Sequence, residues 1–211
     1  MTIKSYCLHH SPCVERKKYL LHLFAKHKIE IEWIEDFLPD SKEVLSTKKV
    51  YSKYAANTTG ILNNAEISLL LKHSLAIKKI QDIEDYAIIF EDDIQDFDFD
   101  FNNTIAKFIE LVEKYNIDIL WIGSSINHNM DLPPSNEPTI LSDSSTKSRL
   151  THCYMINSKV ADKVYNDYID FKHPSDWQWN YIIDKLNLKS AWSYPHIYQR
   201  TDTKEIPSLL R

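Results

Sequence analysis

Residues 86–90, YAIIF, form an apolar run of strand length with no polar alternation. A strand has two faces, so such a run must be covered on both of them. The run fits a central strand of a sheet with helices packed on each side. The flanking sequence supplies those helices. Residues 3–8 read as a first strand, and Ser11-Pro12 as a helix start with proline in the first helical position. Leu20, Leu21 and Phe24 give that helix an apolar face. Residues 29–34, IEIEWI, alternate as a strand does. Leu62, Ala65, Leu69, Ala76 and Ile80 mark a helix over about 62–80. Phe101, Ile105, Phe108, Ile109 and Val112 mark another, and DILWI at 118–122 is the next buried strand. Strand and helix thus alternate through the first 122 residues, which predicts an α/β fold with a mostly parallel central sheet flanked by helices.

Further on, residues 38–60 and 124–148 are polar and aperiodic, and read as loops. Residues 150–156 read as a strand, and Val160, Ala161, Val164 and Tyr168 as a helix. Ser175 and Gln178 have the spacing of a capping box for a last helix to about Leu188. No internal repeat or clean boundary divides the 211 residues, so a single domain over 1–211 is expected.

Composition excludes several functions. The net charge of -5 argues against a nucleic-acid partner. The two glycines, Gly60 and Gly123, cannot build a glycine-rich phosphate loop. A phosphate would need a metal, side chains or a helix N-terminus. The odd cysteine count, Cys7, Cys13 and Cys153, points to reduced thiols. The first residues do not read as a signal peptide, and no segment reads as a transmembrane helix. A cytoplasmic location is expected, compatible with peripheral membrane association.

The chemical signal is FEDDIQDFDFDF at 90–101. Between Lys79 and Lys107 stand nine acids and no Lys, Arg or His. Glu91, Asp92 and Asp93 sit where the apolar strand stops, and open α/β sheets bind ligands beyond their strand ends. Adjacent carboxylates repel unless a cation neutralises them, and hard oxygen ligands suit Mg²⁺ or Mn²⁺. Such a cation could hold a diphosphate. The bland alternative is a solvated acidic turn. An EF-hand is excluded: Asp96, Asp98 and Asp100 are spaced correctly, but Phe101 and Lys107 stand where its Gly and final Glu belong.

The stretch 66–93 resembles glycosyltransferase family 25, the lipooligosaccharide and collagen sugar transferases. There, a helix with Ser and His five apart leads into a strand ending Glu-Asp-Asp, matched here by Ser68, His73 and residues 91–93. Arg16 early in the first helix, THCYMINSKVADKV at 151–164 and HPSDWQWNYII at 173–183 match further family segments. Where the family places an Asn near the end of the first strand, this chain has Cys7 or a neighbour.

The resemblance implies a GT-A-like, Rossmann-like fold, with residues 1–122 as the nucleotide-sugar-binding half and 123–211 as the acceptor-side half. It implies a UDP-sugar donor, galactose first, inversion, Mn²⁺ or Mg²⁺, and a glycan or glycolipid acceptor. Asp93 would ligate the metal, Glu91 would support it or bind the ribose, and Asp92 would assist. His196 is the first choice for a further ligand and His152 the second. Leu8, His9, Arg16 and His73 would serve the donor side, His73 by orienting the carboxylates. Asp176 is the candidate base; in the bland alternative it is merely an acid favoured by the helix dipole. Trp177 and Trp179 either stack on sugars or fill the core, and Lys72 reads as solvated. The rivals are another metal-dependent nucleotidyltransferase or phosphohydrolase, a non-catalytic sugar-binding module, or a structural domain of a larger protein.

Overall fold

A computed structural model describes residues 3–51, 61–83, 85–124, 137–141 and 150–200. Its elements run β1 (Lys4–Leu8), α1 (Val14–Lys26), β2 (Ile31–Ile34), α2 (Lys42–Tyr51), α3 (Asn64–Gln81), β3 (Tyr86–Glu91), α4 (Phe101–Tyr115), β4 (Ile119–Ser124), β5 (Thr139–Leu141), β6 (Cys153–Asn157), α5 (Ser158–Tyr168), α6 (Ser175–Leu186) and β7 (Ser190–Tyr198).

One sheet carries the strands in the order β2-β1-β3-β6-β4-β7-β5. β1 is parallel to both β2 and β3, with Leu8 level with Ile34 and Glu91. β4 is parallel to β7, while β6 runs antiparallel between β3 and β4, and β5 antiparallel on the edge. The α/β class and the parallel N-terminal strands follow the sequence; the sheet as a whole is mixed.

Side chains alternate across the sheet with the period of two that a strand imposes. Tyr6, Leu8, Ala87, Ile89, Trp121 and Tyr154 face a core shared with α3, α5 and α6. Cys7, Ile88, Phe90, Leu120 and Met155 face a core shared with α1 and α4. Ile88, Ile89 and Phe90 are wholly buried, as a doubly covered strand requires.

Several expectations are corrected. Ser11-Pro12 forms a turn, closed by the Cys13 N–H donating to His10 C=O, and α1 begins at Val14. The aperiodic stretch after residue 38 contains α2, which buries only Val44 and so leaves little helical pattern to read. The Ser41 hydroxyl accepts from the Val44 N–H and helps start it. Residues 52–60 lie outside the described residues, as do 125–136 and 142–149 of the second expected loop; Thr139–Leu141 between them is strand. α6 has no side-chain cap. Gln178 instead staples the α5–α6 connection, accepting from Lys172 N–H and donating to the carbonyls of Asp167 and Asp170.

Gly123 has a packing role. A Cβ there would lie 2.4 Å from Nε2 of His152. That ring is buried and its Nε2–H donates to Ile197 C=O at 2.9 Å, so it cannot swing away at little cost. Gly123→Ala should therefore destabilise by about 1–3 kcal/mol, as overpacking does. The check is a lower urea midpoint at unchanged m-value.

Candidate active site

The C-terminal ends of β1 and β3 lie side by side, where the chain goes from β1 to β2 on one side and then crosses back to β3 on the other. Doubly wound sheets open their ligand crevice at such a switch. Here a cleft of about 550 Å³, counting space open to solvent, is lined by Leu8, His9, Arg16, Lys72, Glu91 and Asp93 among others. Ala65, Ser68 and Leu69 form its α3 wall.

The three carboxylates are not equivalent. Asp92 is saturated by the protein. Its Oδ1 accepts from Arg16 Nη1 at 2.5 Å, and its Oδ2 from His9 Nδ1 at 2.8 Å and the His10 N–H at 2.9 Å. Burial alone would raise its carboxyl, but the bonds from His9, Arg16 and His10 hold it below its ordinary range. Asp92 is thus a brace that fixes Arg16 and the end of β1. Removing the cation from a buried pair leaves an uncompensated charge. Arg16→Met should cost about 3 kcal/mol, read as a lower urea midpoint. A loss no larger than that of an exposed substitution would contradict the brace.

Glu91 is engaged on one oxygen. His73 Nε2 donates to Oε1 at 3.1 Å, and Thr151 Oγ1 makes a short hydrogen bond to the same atom. His73 Nδ1 is hydrogen-bonded to Tyr154 Oη at 3.0 Å, so both ring nitrogens are engaged and the ring is held in place. Burial would raise the Glu91 carboxyl, but His73 and Thr151 hold it low. Oε2 has no hydrogen-bond partner among the described residues.

Asp93 differs again. Its Oδ2 accepts from Gln199 Nε2 at 2.7 Å, while its buried Oδ1 has no partner among the described residues. Burial, then the nearby charge of Glu91, pushes its carboxyl up to about 7. Residues 198–200 pair with the segment after β3, through Gln95 N–H to Tyr198 C=O and Arg200 N–H to Asp93 C=O.

Lys72, read from sequence as solvated, is buried. Its ammonium donates to the His9 carbonyl at 3.0 Å and to the Asp36 carbonyl in a short bond, tying the ends of β1 and β2 to α3. Burial lowers it to about 8. It falls seven residues after Ala65 and four after Ser68, on the cleft face of the helix, and that spacing was its available signal. Thr151 and Gln199 are also new to the site; Thr151 opens the family-like segment 151–164, whereas no sequence pattern announces Gln199.

The remaining expected residues lie on or next to other elements around these carboxylates, and the His152 carbonyl accepts from the Glu91 N–H at 2.9 Å. His196 is buried in β7 with its ring edge-on to Tyr194 and Tyr198. His152 is buried beside Gly123. No group of three or more His, Cys, Asp or Glu side chains is arranged to hold a metal among the described residues. Asp176 lies in the first turn of α6, half-buried, with Oδ1 accepting from the Trp177 N–H. Trp177 is exposed, whereas Trp179 is fully buried in the core.

Residues 11–179 match the family model described as glycosyltransferase family 25 (LPS biosynthesis protein). The chain belongs to glycosyltransferase family 25. The matched span contains Arg16, His73, residues 91–93, Thr151 and Asp176, and stops before His196. None of the curated proteins matches this family 25 chain. No helix among the described residues is long and apolar enough to cross a membrane.

Proposed function

We infer that this family 25 glycosyltransferase moves a hexose, galactose first, from a UDP-sugar to a glycan acceptor such as lipooligosaccharide. The reading takes the fold as GT-A-like, the location as cytoplasmic and the reaction as inverting and metal-dependent. The observation that supports it is the pair of uncommitted carboxylate oxygens, Glu91 Oε2 and Asp93 Oδ1, on side chains lining a cleft at a strand switch.

These oxygens fit a hard divalent cation. A buried carboxyl lacking a hydrogen bond on one oxygen is what a cation would complete. Mg²⁺-type sites are commonly built from one or two carboxylates plus substrate phosphates and water. Two protein carboxylates therefore suffice without His196. When bound, Mn²⁺ or Mg²⁺ would offset the charge that builds on the departing diphosphate.

The protein's own groups have separate tasks. Arg16, braced by Asp92, and the buried Lys72 give the cleft positive charge where a diphosphate would lie. Leu8 and His9 line the nucleotide end. His73 and Thr151 hold Oε1 of Glu91, so Oε2 keeps a fixed direction. Asp176 would accept the proton of the acceptor hydroxyl as that oxygen attacks the anomeric carbon opposite the diphosphate. The exposed Trp177 beside it offers an aromatic face to a sugar ring.

The test is thermal melting with UDP or UDP-galactose, with and without Mn²⁺. A ligand bound only by the folded state raises the melting temperature by mass action. A rise that requires Mn²⁺ is expected. No rise with any nucleotide would contradict the reading and favour a binding module.

A further inference from the structure

We propose that Thr151 is a positioning residue that couples α6, which bears Asp176, to Glu91 in the donor cleft. The proposal rests on the glycosyl-transfer reading and adds to it a link between the two substrate sides.

Thr151 is buried, and its hydroxyl lies between two partners. Oγ1 bonds Glu91 Oε1, and it lies 3.0 Å from Ser175 Oγ. A carboxylate only accepts, so the single hydroxyl proton of Thr151 points at Glu91. Ser175 must then donate to Thr151. The result is a directed chain from Ser175 through Thr151 to Glu91.

Ser175 opens α6, and Asp176 is the next residue. Pro174 gives the helix no side-chain cap, and Ser175 has no other side-chain hydrogen bond among the described residues. The Thr151 hydroxyl therefore helps to orient the first turn, together with the Gln178 staple. A second route converges on the same carboxylate oxygen. Tyr154 Oη is hydrogen-bonded to His73, which donates to Oε1, and the Tyr154 ring meets Trp179 of α6 edge-on at 5.4 Å. Both routes end on Oε1 and leave Oε2 facing the donor side. A shift of Glu91 is thus felt at Asp176, and a displacement of about 1 Å in a reacting group can cost roughly 100-fold in rate.

The test compares Thr151→Val, which keeps shape and loses the hydroxyl, with Thr151→Ser, which keeps the hydroxyl. UDP release from UDP-galactose with Mn²⁺ is measured on wild type and both variants, with water or a lipopolysaccharide core oligosaccharide as acceptor. Thr151→Val should lower kcat at least about tenfold, as loss of an outer hydrogen-bond partner does. Its KM for UDP-galactose should stay within about twofold, since uniform donor binding is kept. Thr151→Ser should recover most of kcat. A purely structural role would instead make the serine variant as poor as valine, or move KM and kcat together, and either result overturns the proposal. A wild type without turnover would defeat the glycosyl-transfer reading itself. Amide exchange then decides the coupling separately: first-turn protection of α6 lost in Thr151→Val and kept in Thr151→Ser supports it, and equal protection in all three overturns it.

Discussion

Asp93→Asn should abolish the Mn²⁺-dependent stabilisation by UDP and cut sugar transfer by roughly 100-fold or more, the scale of losing one electrostatic group at a reacting centre. It should do so without unfolding the protein, and its stability profile has a signed pH dependence. The Asp93 carboxyl is raised to about 7 in the fold from an ordinary value of 3.8. Between those values the folded state holds a proton that the unfolded chain has released. Stability therefore falls as pH rises from about 4 to about 7 in the metal-free wild type. The accumulated loss is on the order of 4 kcal/mol. Asn does not titrate, so the variant should lack this fall and be the more stable protein at pH 8. Mn²⁺ should restore the wild type at pH 8 and leave the variant unmoved. Urea unfolding at pH 5 and pH 8, with and without Mn²⁺, reads all four states. Equal pH profiles for the two proteins would mean that Asp93 is not the strained carboxyl of this site.

Asp176→Asn should separate binding from transfer. The side chain lies in the first turn of α6, and Asn keeps its size and leaves the Ser175–Thr151–Glu91 bonds in place, so Mn²⁺-dependent stabilisation by UDP should match wild type. Transfer should fall by about 10²–10⁴-fold, the usual contribution of a general base. Normal transfer would return Asp176 to the simpler role of an acid at a helix N-terminus. Lost donor binding would show that α6 shapes the donor pocket directly.

The expected elements that hold share one physical property: their side chains face a core. The runs at 86–90 and 118–122 bury all but their first residues, Tyr86 and Asp118, and the helix at 101–112 buries every residue singled out for it. β7 escapes notice because Pro195 breaks the strand pattern, and proline argues against a strand in the sheet interior. It is nonetheless paired on both sides, with β4 and β5. α2 is hidden because a helix with one buried residue has no stripe.

The site divides the same way. Residues 91–93 are legible because charge at the end of a buried strand is costly and so demands a reason. The unequal roles of the three carboxylates are not legible. They depend on which donors reach each oxygen: Arg16 from α1, His73 from α3, Thr151 before β6 and Gln199 after β7. These partners lie between 18 and 106 positions away in the chain, and only the fold brings them to one edge. Lys72 is legible only by its spacing from Ala65 and Ser68 on one face of α3; the two backbone carbonyls it bonds, of His9 and Asp36, come from other parts of the chain.

The measurement that tests the central claim most directly is mass spectrometry of a lipopolysaccharide core oligosaccharide incubated with the protein, UDP-galactose and Mn²⁺. The predicted result is an acceptor heavier by one hexose, formed only with Mn²⁺ and lost in Asp93→Asn. An unmodified acceptor, together with metal-dependent hydrolysis of simple phosphoesters, would contradict sugar transfer from this cleft and favour a phosphohydrolase.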